Sequence, residues 1–388
     1  MKTHLIGRRN LLISTAVSMM PSCWKGSAAR ATAPGSSEAQ SVDAIDAFAA
    51  EQMRQYQIPG LSLSILRNGE LVAGRSYGFN DVEFEIKADN QTVYQLASVT
   101  KIFTSVGVMM LVEDNKLSID SRVTELLPNL PQSWSSIRVR HLLNHTSGLP
   151  SRLSSNPRYE AEERLRRERE RFVDTEKLDY FTAAERLSYL VELSLQFPAG
   201  TKWSYNQPAY LLLGIIVERL SGQPFSAFMR QRVFSKLGMD SAQFGDSRVV
   251  VPRRRQVAYT RQFGPLQNWL WPYSTSDYPA AGLNMSAVDM AKFCRALTTG
   301  QLLREGTIES MWAQVQLESG ERAKYAQGWT VGEIAGRKAV GQEGGGCAWV
   351  SHVPSAGITV IVLSNLAGSR ADLGDKLAGL LIQGRSKD

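Results

Sequence analysis

Asn68-Gly69 stands between two runs of alternating apolar residues, Leu61 to Leu66 and Leu71 to Tyr77. That pattern places a two-residue hairpin turn and two antiparallel strands near the front of the chain, after a helical pattern at 43–57. A lone hairpin cannot bury its apolar face in water. The strands to complete it lie at the far end, with patterns at 327–332, 337–341, 347–353 and 358–364, then an apolar-periodic helix from Ala371 to Ile382. From Ser98 to about Leu303 the pattern is mainly helical, and prolines such as Pro128, Pro150, Pro198 and Pro279 mark its loops. The expectation is an α/β (α+β) fold in which one antiparallel sheet is assembled from both termini around a large helical insertion. The parts are 42–97 plus 312–385 for the sheet and 98–311 for the helices. A ligand site belongs in the crevice between them.

Ser98 and Lys101 open the helical part, in Ala97-Ser98-Val99-Thr100-Lys101. Three residues apart on a helix, they share one face, a hydroxyl beside an amine. At the first turn the serine is also close to exposed N–H groups and the positive end of the dipole, where developing negative charge is favoured. Burial can lower a lysine's pKa enough for it to take the serine proton at neutral pH. The spacing by itself is weak, because Ser22 and Lys25 repeat it near the N-terminus.

That N-terminus reads as an export leader. Arg8 and Arg9 precede the apolar stretch Leu11–Met20, and Ala29-Arg30-Ala31 offers a cleavage site, so residues 1–31 are expected to be a twin-arginine signal peptide and 32–41 a flexible linker. The expected location is periplasmic or secreted. The apolar stretch is too short for a bilayer core of about 30 Å, and no later segment has a spanning length either. Cys23 could mark a lipid-anchoring site, but Met20-Pro21-Ser22 is a poor lead-in to one. The leader holds Lys2, Arg8, Arg9, Lys25 and Arg30 and no acid, so its removal takes the formal charge from +7 to +2. The high pI therefore does not imply nucleic-acid binding, and the basic run from Arg164 to Arg171 is interleaved with glutamates as on a solvated helix face. With only Cys294 and Cys347 beyond the leader, a disulfide framework is excluded.

Other motifs compete for the chemistry. Gly74-Arg75-Ser76-Tyr77-Gly78 fits a lipase-type pentapeptide, yet a hairpin strand precedes Ser76 and no helical pattern follows, so it reads as a decoy. His141 and His145 stand four apart, but Leu142 occupies the glutamate place of a zincin motif, and a structural role at a helix end fits better. Apart from His4 in the leader, the histidines are these two and His352. A Ser-His-Asp triad thus has few candidate bases, which favours a lysine mechanism. Tyr205 follows the turn Pro198-Ala199-Gly200 and precedes the helix Leu211–Leu220. It could be core or rim. Gly341-Gln342-Glu343-Gly344-Gly345-Gly346-Cys347 puts consecutive glycines in a strand, which marks either close approach of a ligand or backbone, or an edge defect. Cys347 has no activating neighbour in sequence, and packing suits it better than nucleophilic chemistry.

Taken together, Gln95-Leu96-Ala97-Ser98-Val99-Thr100-Lys101, Asp114 to Asp120, His141 to Pro150, Leu211 to Ile215 and Leu237-Gly238-Met239 resemble the serine β-lactamase and penicillin-binding-protein family, in its class C β-lactamase, D-alanyl-D-alanine carboxypeptidase and family VIII esterase branch. The resemblance runs from about Val42 to Leu366. It implies the β-lactamase/transpeptidase-like fold, with Ser98 as acylated nucleophile, Lys101 as its base and Tyr205 as proton shuttle. It also implies an oxyanion hole from the N–H groups of Ser98 and Gly345, and substrate contacts at Gln207, Gln342, Glu343 and Gly344. Two positions depart from the family pattern. Gln207 stands where Y-x-N has asparagine, although Ser204-Tyr205-Asn206 offers another register. Gln342 stands where K-T-G or H-x-G carries its cation, and an amide cannot bear charge. The expectation is an exported serine hydrolase, needing no metal or organic cofactor, that cleaves small-molecule esters or amides through an acyl-enzyme. The alternatives are a β-lactamase or D-alanyl-D-alanine carboxypeptidase, acting on a β-lactam or cell-wall peptide, and a non-catalytic binding protein that retains the cleft.

Overall fold

The computed structural model describes residues 36–170, 181–245, 254–269, 273–369 and 372–384. The expected twin-arginine leader, its expected cleavage site and Cys23 lie outside them. Ser41–Asp388 forms one compact unit. In chain order, α1 (Ser36–Tyr56) leads into β1 (Gly60–Arg67), β2 (Glu70–Asp81), β3 (Ile86–Lys87) and β4 (Tyr94–Gln95). The helical region then carries α2 (Thr100–Glu113), α3 (Val123–Leu126), α4 (Val139–Leu143), α5 (Pro157–Glu170), α6 (Ala183–Leu190), α7 (Gln207–Ser221) and α8 (Phe225–Met229). Next come β5 (Gln243–Phe244), β6 (Tyr259–Thr260), β7 (Gln267–Asn268), β8 (Leu283–Met285), α9 (Ala287–Thr298) and α10 (Glu305–Met311). The chain closes with β9 (Thr330–Ile334), β10 (Arg337–Gly344), β11 (Ala348–Val353), β12 (Ile358–Ser364), β13 (Leu366–Ala367) and α11 (Leu373–Gln383).

The main sheet has seven strands in the order β3-β2-β1-β12-β11-β10-β9, every neighbour antiparallel. The first strand of the chain therefore pairs with one of the last, Leu61 opposite Ser364. Asn68 and Gly69 both take positive φ, 50° and 82°, which is the geometry of a type I′ hairpin turn. Alternation sorts the side chains between two cores. Leu61, Leu63, Ile65, Val360 and Val362 join Leu373 and Leu377 of α11, while Ile361 and Leu363 face the helical region. The polar residues between them are satisfied: Ser64 donates to Ala287 O at the start of α9, and Ser62 shares a hydrogen bond with the Tyr94 hydroxyl.

Two expectations about element limits change. α1 begins at Ser36, inside the stretch expected to be linker, since Ser36, Ser37 and Glu38 suit a helix N-terminus. The 98–311 region also contains the short strands β5 to β8, and β8 pairs with both β4 and β5. Strands of two or three residues are too short to show a period.

α2 is the axial helix, with every residue from Thr100 to Leu111 buried. Its sequence is apolar almost all round, the mark of a helix with no solvent face. Lys101 is the exception to that composition, and this makes its surroundings decisive.

Candidate active site

Ser98 sits in the 3-10 turn Ala97–Val99 that feeds α2. The residue before it, Ala97, is held at φ +44°, where a side chain is strained and surrounding packing must enforce the conformation. Lys101, one turn on, has no exposed surface. Its Nζ lies 3.2 Å from Ser98 Oγ, 2.8 Å from Gln207 Oε1 and 2.8 Å from the carbonyl of Ala280. Burial drives the Lys101 pKa well below the ordinary lysine value, with Asp277 opposing. A neutral amine has two N–H groups and one lone pair. Gln207 and Ala280 take the two N–H groups, leaving the lone pair for the serine proton.

Tyr205 completes the arrangement by donating its hydroxyl to Ser98 Oγ at 2.9 Å. Burial raises its pKa, so at neutral pH it is a phenol that gives a proton rather than a base. The two possible registers of the second motif are distinguished by what each amide does. Asn206 is buried as the N-cap of α7, accepting the Ala209 N–H at 2.7 Å and donating to the carbonyls of Leu149 and Pro150. It is committed to structure, whereas Gln207 reaches the lysine.

The end of β10 forms the opposite wall. A Cβ placed on Gly344 would lie 2.1 Å from Leu96 O and 3.1 Å from Ser98 N, so only glycine lets the strand approach the Ser98 backbone this closely. Gly345 and Gly346 follow with φ 57° and 69°, and the Glu343 carboxylate accepts the Gly346 N–H. Gln342 is buried, its Oε1 accepting from Tyr325 OH at 2.8 Å and its Nε2 donating to Glu343 O at 2.7 Å. Both ends of the amide are occupied. Beside this wall Cys347 is buried, its thiol directed at the carbonyls of Gly344 and Gln95 and its pKa raised by burial, so it is no thiolate.

The remaining candidates fall elsewhere. Ser76 lies on β2, and its Oγ bonds Ser62 Oγ and Asn90 Oδ1, neither of which is a base. His141 closes the first turn of α4 by accepting the Arg138 N–H, and burial pushes its pKa down to about 4. His145 is fully buried; its Nδ1 accepts the Asn206 N–H, and its ring centre lies 4.5 Å from those of Tyr205 and Tyr325. It backs the catalytic tyrosine candidate instead of binding a metal. His352 is buried on β11 against Thr359 and Trp312. Among the described residues no three His, Cys, Asp or Glu side chains gather as metal ligands. Sequence reasoning missed Ala280, Asp277 and Tyr325. A backbone carbonyl leaves no side-chain signature, and the other two act from loops whose positions depend on tertiary folding.

Residues 45–383 match the family model described as Beta-lactamase. Among curated proteins, Penicillin-binding protein 4* of Bacillus subtilis (strain 168) is 24% identical over 290 residues, covering 71% of this chain and 60% of its own. Protein flp of Staphylococcus aureus (strain MW2) is 25% identical over 204 residues, covering 52% and 38%. The chain thus spans less than two thirds of the length of these relatives. Three solved structures share the fold. The octameric penicillin-binding protein homologue from Pyrococcus abyssi has a TM-score of 0.72 at 23% identity, over 88% of this chain and 77% of its own. EstCE1, a hydrolase with promiscuous acyltransferase activity, has 0.71 at 22%, over 88% and 99%. D-amino acid amidase from Ochrobactrum anthropi SV3 has 0.72 at 20%, over 90% and 100%. A sheet closed by strands from both ends of the described chain, a serine and lysine at the head of α2 and a family match across nearly the whole described chain agree, and the chain belongs to the Beta-lactamase family.

Proposed function

We propose that this chain hydrolyses ester or amide bonds of small molecules through an acyl-enzyme on Ser98. The observation that carries the reading is Lys101, withdrawn from water, with its Nζ between Ser98 Oγ and two fixed acceptors. In the first step the Ser98 oxygen attacks the carbonyl carbon while its proton passes to Lys101. The tetrahedral oxyanion is received by the N–H groups of Ser98 and Gly345, each worth about 3 kcal/mol in comparable sites. Tyr205, bonded to Ser98 Oγ, gives its proton to the leaving group and takes the one held on Lys101, so that phenol and neutral amine are both restored. Water, activated by the same groups, then releases the acid and frees the serine.

The leaning toward esters and amides without an acidic group rests on Gln342. It is uncharged and both ends of its amide are already bonded, so it offers a substrate carboxylate no cation. A fluorophosphonate probe on purified protein tests the nucleophile, with labelling expected and its absence pointing to a non-catalytic binding protein. Rates on short p-nitrophenyl esters, nitrocefin and a D-Ala-D-Ala peptide, measured side by side, test the substrate class. Faster turnover of nitrocefin or the peptide would replace the esterase reading with β-lactamase or D,D-peptidase activity. Export to the periplasm is part of the proposal, resting on Arg8, Arg9 and the apolar stretch after them. Residues 1–31 fused to a reporter should carry it out of the cytoplasm, and changing both arginines to lysine should abolish this.

A further inference from the structure

The turn that holds the lysine also holds an ion pair. Arg186 on α6 engages both carboxylate oxygens of Asp277, through Nη1 to Oδ1 and through Nη2 to Oδ2 at 3.1 Å, and Nη2 donates to Ser274 Oγ at 3.4 Å. The two side chains are 19% and 23% exposed, so water screens the pair only in part. Asp277 Oδ2 also accepts the N–H and hydroxyl of Ser274, at 3.0 Å and 2.8 Å. The Asp277 carbonyl receives the N–H groups of Ala280 and Ala281, at 2.9 Å and 2.8 Å. The carbonyl of Ala280 is then one of the two acceptors that fix Lys101. Asp277 therefore shapes the cradle of the base, and its negative charge comes with it.

That charge works against a neutral lysine. Among the other titratable groups at the site Glu343 on β10 bears on Tyr205, and the aromatic and imidazole groups around the amine are uncharged. The rings of Tyr205 and Tyr210 have their centres 4.9 Å and 5.3 Å from Nζ, both as phenols, and His145 is kept unprotonated by burial. Tyr273, which also senses Asp277, is likewise held as a phenol by burial.

We infer that Arg186 is a positioning residue for the reaction: by neutralising the Asp277 side chain it lets the turn whose main chain cradles the lysine keep its carboxylate without that charge holding a proton on the lysine. This rests on the acyl-enzyme reading, in which Lys101 must be free of its proton to act. An uncompensated carboxylate in a partly desolvated site favours the charged form of a nearby amine, and a guanidinium on the same carboxylate cancels most of that field.

The test follows Lys101 directly. In full-chain protein labelled with 13C-lysine, the Cε resonance of Lys101, assigned with Lys101→Met, is titrated alongside the acid limb of kcat/KM for a p-nitrophenyl ester. Arg186→Gln should move the Lys101 midpoint up by roughly 0.5–1 pH unit, and Asp277→Asn should move it down. The double variant should return close to the wild type. A merely structural role would lower activity at every pH and leave the midpoint in place, so an unmoved midpoint, or a shift of the same sign in both variants, overturns the inference. Should Arg186→Gln fail to fold, Asp277→Asn decides alone: a downward shift supports the inference and none refutes it. The resonance reports the lysine whether or not the protein turns over. Shifted midpoints in a protein that never acylates would sink the hydrolase reading and leave the charge relation standing, while fixed midpoints in an active protein would sink this inference alone.

Discussion

Lys101 Nζ and Ser98 Oγ lie 3.2 Å apart at the head of α2, the lysine with no exposed surface and the serine half-buried. A charged lysine in that position would be costly, and a neutral one is a base already in contact with its proton donor. The predictions below start from this pair.

Ser98→Ala should remove ester hydrolysis and fluorophosphonate labelling while shifting the melting temperature little, since it trims one hydroxyl from a half-buried residue. Ser76→Ala should retain full turnover, because Ser76 is bonded within a hairpin and faces no base. Loss of activity in Ser76→Ala alone would move the nucleophile to β2.

The pH profile of kcat/KM should show an acid limb set by Lys101. The lysine pKa is depressed by burial, so the reactive neutral amine persists down to well below the ordinary lysine range, and activity falls as pH drops through the depressed value. Rates on a neutral ester from about pH 5 to about pH 10 test this. A profile that rises only near the pKa of an exposed lysine would contradict the buried neutral base.

Gly344→Ala should be severe for both stability and activity. The added methyl group meets Leu96 O at 2.1 Å, so β10 must retreat from the nucleophile's turn, at a cost on the order of 3 kcal/mol. Circular-dichroism melting gives the first effect and acylation by a fluorophosphonate the second. A stable, active Gly344→Ala protein would mean that the strand does not abut Ser98 in solution.

Gln342→Lys should raise kcat/KM for nitrocefin by roughly tenfold and leave a neutral ester almost unchanged, through a charge-assisted bond to the substrate carboxylate. The new ammonium would also find Tyr325 OH and the Glu343 carbonyl, the present partners of the amide, so folding should be preserved. Equal responses of the two substrates would show that position 342 does not set selectivity.

Stability should decline on acidification before the carboxylates titrate. His141 and His352 are buried and neutral, each with its pKa lowered to about 4 by desolvation, whereas in the unfolded chain they protonate near 6.5. Between those values the unfolded chain binds more protons, so stability is lost as pH falls through this window, by about 3 kcal/mol per histidine at most. Urea melts at pH 7 and pH 4.5 measure the loss, and His352→Gln should reduce its slope by about one proton.

Much of the scaffold was readable from period alone. Asn68-Gly69 and the alternating runs beside it indicated β1 and β2, and the C-terminal patterns indicated β9 to β12, because residues two apart in a strand share one face, here packed on one of two cores. β4 to β8 could not be read that way, and the start of α1 at Ser36 was hidden by a composition that also suits linkers. In the site, Ser98, Lys101 and Tyr205 carry side-chain chemistry at telling spacings. Ala280 contributes only a carbonyl, and Arg186 and Asp277 meet across 91 residues, so neither contribution shows in local sequence.

The pairing of β1 with β12 bears on how such a chain is made. The backbone N–H of Gly60 is held by Asn365, 305 residues later. During synthesis the first hairpin emerges early with one edge and much of its apolar face unpaired, and it stays so until nearly the whole chain has left the ribosome. Sequence separation on this scale makes closure slow, and any truncation ahead of β12 yields a chain without the centre of its sheet. Ser98 stands early in the sequence, but the wall that β10 builds against its turn comes almost 250 residues later.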